Sequence, residues 1–235
     1  MPMSNYTDKN IETLAPLEGI RKKMGMYIGS TDNEAVHHIV KEIISNSIDE
    51  YLAGYGKEII VELLPDNWVQ VIDQGRGIPL GKVEDVFTKL HTSGKFSKEG
   101  DAAYGASGGL NGIGVKLSVA CGFTKVDIIR DGKQYKNHFS YSAGHGTPII
   151  SSVATKTTGT KITWKPDDEV FSDATLYYDK IKDLLTDLSY ITPGLTFIIK
   201  QGKKVDTIKS KSIADYITDN VTKHNIISPI MSFKA

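Results

Sequence analysis

An amphipathic helical pattern constrains the fold most strongly, beginning near Thr31 or Asp32 and running to Gly54. Threonine and aspartate are good helix N-caps, and glycine commonly follows a helix C-terminus. Aliphatic side chains recur between these ends at helical spacing, at Val36, Ile39, Val40, Ile43, Ile44 and Ile48. We therefore expect one long amphipathic helix in the folded chain.

Alternating segments after this helix predict antiparallel strands. A "PDN" turn joins residues 57–64 to 67–73, and a "DG" turn joins 124–131 to 133–141. The pattern predicts further strands over 146–153, 159–166 and 195–201, and further helices over 82–90, 114–122, 173–191 and 212–224. The order lacks a strict βαβ rhythm. It predicts an α+β fold with helices on one face of a sheet.

Composition excludes several classes of protein. The chain has 28 acidic and 28 basic residues, so it is not an obvious nucleic-acid or membrane-surface binder as a whole, although a local basic patch is compatible with this balance. The lone Cys121 excludes an intrachain disulfide and lies in an apolar run, which predicts a core residue. No apolar run approaches the roughly 20 residues of a membrane span, and no cluster has zinc-ligand spacing.

Polar side chains form a stripe along the long helix. His38, Glu42, Asn46 and Asp49 fall within about 80° of arc. A solvated face is the ordinary explanation of such a stripe. Asparagine is mildly unfavourable inside a helix, which favours a functional site slightly.

Two glycine-rich segments follow. Asp73 ends a strand and precedes Gly75 and Gly77, an arrangement that lets a carboxylate accept a hydrogen bond from an exocyclic amine, although an Asp-capped turn explains it equally well. The segment 107–116, "SGGLNGIGVK", leads into a helix and suits a phosphate. It lacks the Lys-Ser/Thr ending of a P-loop and is not part of a βαβ unit.

The order of these motifs resembles the GHKL ATPases, which include type IIA topoisomerases, mismatch-repair ATPases, chaperones and sensor histidine kinases. "RKKMGMYIGS", "VHHIVKEIISNSIDE", "DQGRGIP", "LHTSGKF", "SGGLNGIGVK" and "TGTKITWKP" look like the ATPase domain of the DNA gyrase B or topoisomerase IV subunit. The resemblance runs from about Tyr6 onward. It implies the Bergerat (GHKL) fold, a two-layer α+β sandwich whose mixed sheet is mostly antiparallel.

The resemblance also implies residue roles. Glu42 matches the general base, His38 the residue that orients it, and Asn46 the Mg²⁺ ligand. Asp73 matches the adenine reader, with Thr160 supporting it through its hydroxyl, and Glu50 is expected to pair with Arg76. The remaining ATP-binding positions fall into three groups: residues that flank the adenine base, two side chains of the lid, and the lid backbone. The lid is the glycine-rich segment expected to surround the phosphates. These positions are Arg76, Gly77, Ile78, Pro79, Lys95, Tyr104, Gly109, Leu110, Asn111, Gly112, Ile113 and Gly114.

The resemblance implies an organisation and partners as well. Residues 1–15 are expected to be an N-terminal arm, with Tyr6 and Ile11 reaching a second subunit when ATP binds. Residues 16–222 are expected to form the ATPase domain, and 223–235 to begin a linker to a transducer domain. The implied enzyme is an ATP-hydrolysing type II topoisomerase in the cytoplasm of a bacterial or phage-infected cell. Its implied partners are ATP, a second copy, an A-type DNA-cleaving subunit, duplex DNA and coumarin-type inhibitors.

Several positions depart from the family pattern. Met24 stands where proline is usual, Ser45 where an acid often precedes Asn46, Gln74 where Asp or Asn is common, and Asn111 where histidine is common. These departures leave a second hypothesis open, a nucleotide-sensing interaction module with little turnover. A sensor kinase is disfavoured because it would need a helix carrying a phospho-acceptor histidine upstream of the first motif.

Overall fold

The computed structural model describes residues 14–90, 92 and 113–220 of the 235-residue chain. The helices are α1 (Pro16–Lys22), α2 (Met24–Ile28), α3 (Asn33–Leu52), α4 (Val83–Thr88), α5 (Gly114–Ala120), α6 (Tyr178–Ser189) and α7 (Ile213–Asn220). The strands are β1 (Glu58–Leu64), β2 (Trp68–Ile72), β3 (Gly122–Arg130), β4 (Lys133–Ser140), β5 (Gly144–His145), β6 (Ile149–Ser152), β7 (Gly159–Pro166), β8 (Thr196–Gln201) and β9 (Lys204–Lys209).

These strands form one sheet in the order β5-β4-β3-β7-β2-β1-β8-β9, with β6 also paired to β4. All pairs are antiparallel except β1 with β8, whose strands run parallel. The mixed, mostly antiparallel sheet predicted for the chain is therefore confirmed. The exception arises because α6 lies between β7 and β8 and carries the chain back across the sheet.

The core lies between one face of this sheet and the helices. Val61, Val71 and Ile162 lie opposite one another on β1, β2 and β7, and all three are buried. Helix α3 packs over these three strands, α5 against α3 and β3, and α6 over β8 and β9. Side chains on the other face of β1 and β2 remain partly exposed. The prediction of an α+β fold with helices on one face is confirmed.

Local chemistry explains the bounds of α3. Asp32 caps the helix, since its Oδ1 accepts hydrogen bonds from the backbone N–H groups of Glu34 at 3.0 Å and Ala35 at 3.4 Å. The aliphatic positions are buried as the period predicted, and Ile39, Val40 and Ile44 have no exposed surface. Cys121 is also buried, which raises the pKa of its thiol to about 12 and confirms it as a core residue.

Some predicted element bounds are wrong. The helix predicted over 173–191 begins only at Tyr178, because Asn67 holds the preceding segment in a non-helical conformation. The Asn67 amide donates to the Ala174 carbonyl and accepts from the Leu176 N–H, at 2.8 and 2.9 Å. Helices α1 and α2 and strands β5 and β9 were not predicted. The strand predicted over 146–153 is shorter, covering Ile149–Ser152.

Three predicted regions lie wholly or mostly outside the described residues: the N-terminal arm, the glycine-rich segment before Ile113, and the linker from residue 223. Within the described ranges, no helix is both long and apolar enough to span a membrane.

Candidate functional site

Asp73 is held at the end of β2 by three hydrogen bonds. Its Oδ1 accepts from the backbone N–H groups of Gly75 at 2.9 Å and Thr160 at 3.1 Å. Its Oδ2 accepts from the Ser47 hydroxyl on α3 at 2.9 Å. The carboxylate therefore has a fixed orientation where the helix and two strands meet. One oxygen has two N–H donors, whereas the other has a single hydroxyl donor.

Burial dominates the electrostatics of this carboxyl. Removal from water raises the pKa of Asp73 above its ordinary value, and the nearby negative charge of Glu50 raises it further. Hydrogen bonds from Gly75, Ser47 and Thr160 lower the pKa and offset part of this increase. A half-buried carboxyl held in this way is suited to recognising a donor group of a ligand.

An ion pair anchors the turn that follows Asp73. The Arg76 guanidinium donates to both carboxylate oxygens of Glu50, at 3.0 and 3.1 Å, and the Arg76 backbone N–H donates at 2.8 Å. The centre of the Tyr55 ring lies 4.5 Å from the guanidinium carbon of Arg76. Gly75 must be glycine, because a Cβ there would lie 2.7 Å from Glu50 Cγ. The expected Glu50–Arg76 pair is thus present and joins the turn to α3.

The "TGT" sequence at the start of β7 supports the same turn from the other side. The Thr158 hydroxyl donates to the Gly75 carbonyl at 2.6 Å, and the Thr160 N–H donates to Asp73. Thr160 was expected to support Asp73 through its hydroxyl. In the structure it does so through its backbone, because the register of β2 and β7 places its N–H group opposite the carboxylate.

Ser47 was not identified from the sequence. Its neighbour Asn46 was selected from the polar stripe, but Ser47 lies about 100° further round the helix, on the buried side. The sequence did carry a signal for Ser47, which lies about one helical turn before Glu50 on the side of α3 that carries the aliphatic residues. Asp49, which belonged to the stripe, is buried rather than solvated.

Glu42 lies at the other end of the site, against the start of α5. A Cβ built at Gly114 would overlap the Glu42 carboxylate, so a larger residue there would displace this side chain. The carboxylate makes no hydrogen bond or ion pair within the described residues. Glu42 and Ser47 are five residues apart, roughly 7.5 Å along the helix axis. Glu42 and Ser47, the α3 partner of Asp73, therefore lie at different heights along the same helix.

Asn46 lies between these ends. Its side-chain nitrogen donates to the Glu42 carbonyl at 2.8 Å, which leaves the amide oxygen as the atom able to bind a cation. An oxygen donor suits a hard ion such as Mg²⁺, which typically takes few protein ligands and keeps several waters. Clusters of three or more His, Cys, Asp and Glu ligands are absent from the described part of the chain. The residues present fit a magnesium ion shared with a phosphate ligand better than a closed metal cage.

The two neighbouring histidines differ in environment. His37 is buried, with Nδ1 2.8 Å from the Asn33 carbonyl and Nε2 accepting from the Tyr177 N–H at 3.3 Å. It therefore has a structural role. His38 is half-buried and forms no hydrogen bond to Glu42 in this structure. Its expected orienting role rests on position alone.

The other expected positions fall into three groups. Near Asp73, Gly77 accepts a hydrogen bond from the Arg130 guanidinium at 2.7 Å, Ile78 packs against the core and Pro79 is exposed. Near Glu42, Ile113 is half-buried and directly precedes α5. The remaining positions lie outside the described residues: Lys95, Tyr104, Gly109, Leu110, Asn111 and Gly112.

Known proteins resemble this chain in sequence and in fold. The B subunit of DNA topoisomerase 4 from Staphylococcus aureus, strains MW2 and COL, is 40% identical over 213 residues, covering 86% of this chain and 32% of the relative. The chain thus spans about a third of the length of these curated relatives. The crystal structure of the 43K ATPase domain of Thermus thermophilus gyrase B, in complex with an aminocoumarin, matches with a TM-score of 0.73 and 32% identity, covering 88% of this chain and 55% of that one.

A sequence model of the family described as histidine kinase-, DNA gyrase B-, and HSP90-like ATPase matches residues 31–170. The match covers more than half of the chain and includes Glu42, Asn46, Asp73 and Thr160. It ends just after β7, whose Thr160 N–H completes the support of Asp73. Motif order, fold and site geometry lead to the same conclusion: the chain belongs to the family of histidine kinase-, DNA gyrase B-, and HSP90-like ATPases.

Proposed function

We propose that this chain is the ATP-binding and ATP-hydrolysing domain of a type II DNA topoisomerase. The observation that carries the proposal is the triply hydrogen-bonded carboxylate of Asp73 at the end of β2, beside a helix that also carries Glu42 and Asn46. Adenine recognition requires an amine reader such as Asp73, and phosphate hydrolysis requires a water-activating base such as Glu42.

Adenine binds at the Asp73 end in this proposal. Oδ1 already accepts two backbone N–H groups, whereas Oδ2 accepts only the Ser47 hydroxyl. A carboxylate oxygen accepts at least two hydrogen bonds, so Oδ2 is the acceptor for the adenine N6 amine. Arg76 and Pro79 flank the base, and Ile78 supplies an apolar wall. The Glu50–Arg76 pair keeps this wall in place.

The triphosphate extends toward Glu42. The start of α5 presents backbone N–H groups there, which stabilise negative charge. Asn46 Oδ1 would hold Mg²⁺, which neutralises phosphate charge when bound. Glu42 makes no competing hydrogen bond among the described residues, so its carboxylate can accept a proton from the attacking water. Lys95 and Tyr104 are proposed to contact phosphate and ribose, and the backbone of residues 109–114 to surround the phosphates.

The relatives imply the wider role. We propose that residues 1–15 form an arm that joins two copies when ATP binds, that 16–222 form the ATPase domain, and that 223–235 lead toward a transducer domain. The dimer would act as a gate coupled to passage of duplex DNA, together with an A-type DNA-cleaving subunit, in the bacterial cytoplasm. The aminocoumarin in the T. thermophilus complex makes the same inhibitor class a candidate ligand here.

Calorimetry and phosphate release test this function together. The chain should bind one Mg-ATP, and Glu42→Gln should keep that affinity within about threefold. Phosphate release should fall by about 10²–10⁴-fold, the usual contribution of a general base. Glu34→Gln is the matched control, because Glu34 lies on the same helix with a side chain 75% exposed. Unchanged turnover in Glu42→Gln would remove the base from the mechanism.

A nucleotide-sensing module is the alternative, favoured by the absence of a His38–Glu42 hydrogen bond in this structure. Light scattering with and without a non-hydrolysable ATP analogue, combined with the phosphate assay, separates the two functions. Dimerisation with turnover supports the gate. Dimerisation with no phosphate release in either the wild-type chain or Glu42→Gln supports the sensor.

A further inference from the structure

The face of the sheet opposite the helices carries a group of lysines. Lys125 on β3, Lys136 on β4, and Lys161 and Lys165 on β7 alternate with buried residues along their strands. Lys125 and Lys136 are exposed, and Lys161 and Lys165 are half-exposed. Helices α3, α5 and α6 pack on the other face. We call these four residues the lysine patch.

Strand register fixes the spacing of the patch. Lys161 lies opposite Asp127, and Asp127 lies opposite Lys136. Lys125 is two residues from Asp127 on β3, and Lys165 is four residues from Lys161 on β7. Neighbouring strands are about 4.8 Å apart and alternate residues about 6.8 Å apart, so the patch measures roughly 10 by 14 Å. The sheet fixes the backbone positions of its four lysines.

The patch has a net positive charge. Asp127 is the one carboxylate among these positions of β3, β4 and β7, and it lies 3.1 Å from Lys161 and 3.9 Å from Lys136. Four ammonium groups against one carboxylate leave an excess of about three positive charges. The chain as a whole has zero net charge, so this excess means that positive charge is concentrated on this face of the sheet. Carboxylates bound the patch beyond the end of β7, at Asp168 and Glu169, and across the sheet on β1, at Glu58 and Glu62.

Aromatic side chains fix one end of the patch. Lys125 Nζ lies 4.1 Å from the centre of the Trp68 ring. Phe123 stacks on His138, with ring centres 5.2 Å apart, and contacts Trp68 edge to face at 5.8 Å. Because these rings pack against one another and against a lysine, they do not present open faces on which unpaired bases could stack. This arrangement favours a partner that is contacted through backbone charge.

We propose that the lysine patch binds the phosphate backbone of duplex DNA. Lysines whose backbone positions are fixed by a sheet suit an extended polyanion, and such contacts supply affinity without base specificity. The choice of DNA among polyanions rests on the proposed function, whereas the charge argument does not. The domain that hydrolyses ATP would then touch the DNA directly, in addition to any contact made by other parts of the enzyme.

The test is the salt dependence of binding to a fluorescent 20-base-pair duplex, measured by anisotropy without nucleotide. Four phosphate contacts give a slope of log K against log salt of about −3.6, which is about a 150-fold loss of affinity between 50 and 200 mM salt. Lys125→Gln/Lys136→Gln should reduce the slope to about −1.8, a loss of about 12-fold over the same range. The control Lys57→Gln/Lys203→Gln removes equal charge from two exposed lysines outside the patch. Its slope should equal that of the wild-type chain.

Three results would overturn the proposal: no binding at 50 mM salt, an equal change of slope in both double variants, or single-stranded DNA of equal length bound more than tenfold tighter than the duplex. Thermal unfolding confirms that each variant is folded. ATP affinity, measured separately by calorimetry, should be the same in all three proteins. A failure of DNA binding is thus distinguishable from a failure of the proposed ATPase function.

Discussion

Asp73→Asn converts one acceptor of the proposed adenine site into a donor. The two backbone N–H groups of Gly75 and Thr160 both point at the Oδ1 position, so the new amide oxygen will take that place. The amide nitrogen then occupies the Oδ2 position beside Ser47. Ser47 can rotate its hydroxyl and accept, but the adenine N6 amine cannot. ATP would meet a donor where it needs an acceptor.

The size of the loss follows from this geometry. A hydrogen bond to a charged group contributes about 1.5–3 kcal/mol. Losing it therefore weakens ATP binding by about 10–150-fold. The fold should be nearly unaffected, since the introduced asparagine keeps both backbone hydrogen bonds and removes a half-buried charge. We expect the free energy of unfolding at pH 7 to change by less than about 1 kcal/mol.

Guanine nucleotides make the assay specific. GTP presents a carbonyl oxygen where ATP presents the N6 amine, so the amide of the Asp73→Asn variant can donate to it. In calorimetry with non-hydrolysable analogues, the ratio of ATP to GTP affinity should fall at least tenfold in Asp73→Asn. Asp66→Asn is the matched control, because it makes the same change in the exposed β1–β2 turn. A preserved ratio would refute the assignment of Asp73 as the adenine reader.

The remaining predictions concern the same site. Because burial raises the pKa of Asp73, ATP affinity should fall as pH decreases through a value above the ordinary aspartate pKa of about 3.9, and Asp73→Asn should remove this dependence; a titration by calorimetry from pH 8 to 5 checks it. The same raised pKa means that the unfolding free energy of the wild-type chain falls relative to Asp73→Asn as pH rises through it, measurable by urea unfolding. Gly114→Ala should reduce turnover at least tenfold by displacing Glu42, whereas Gly25→Ala, which has open space around it, should not; equal turnover in the two would contradict the close approach. Arg76→Ala should destabilise the fold by about 1–3 kcal/mol in urea unfolding, because it leaves the largely buried Glu50 carboxylate without its bidentate partner, and a loss under about 0.5 kcal/mol would show that the pair does not anchor the turn.

Sequence patterns predicted most of the architecture because the strongest patterns are local. The α3 period, the Asp32 cap and the two hairpin turns each act within a few residues, and all are present. The predicted start of α6 was wrong for the opposite reason. The residue at which this helix begins depends on Asn67, which is more than a hundred residues away in the chain and holds residues 174–176 through side-chain hydrogen bonds.

The sequence predicted several residues of the site, but fewer of the contacts that hold them. Asp73, Glu50 and Arg76 were identified, and the structure shows the predicted ion pair. Ser47 was missed and the backbone contact of Thr160 was not predicted, because both depend on how α3 and β7 meet across the sheet. Such tertiary geometry leaves no periodic trace in the sequence. The lysine patch was hidden for a similar reason, since its four members come from three strands and the net charge of the chain is zero.

A crystal structure of the chain with Mg²⁺ and a non-hydrolysable ATP analogue would show the orientation of the nucleotide between Asp73 and Glu42. We predict that the adenine N6 amine lies about 2.7–3.2 Å from Asp73 Oδ2, the usual range for such a hydrogen bond. We also predict that the γ-phosphate lies at the α5 start, with Glu42 within reach of a water beside it. A nucleotide bound in the reverse direction, or outside the space between Asp73 and Glu42, would contradict the proposed site.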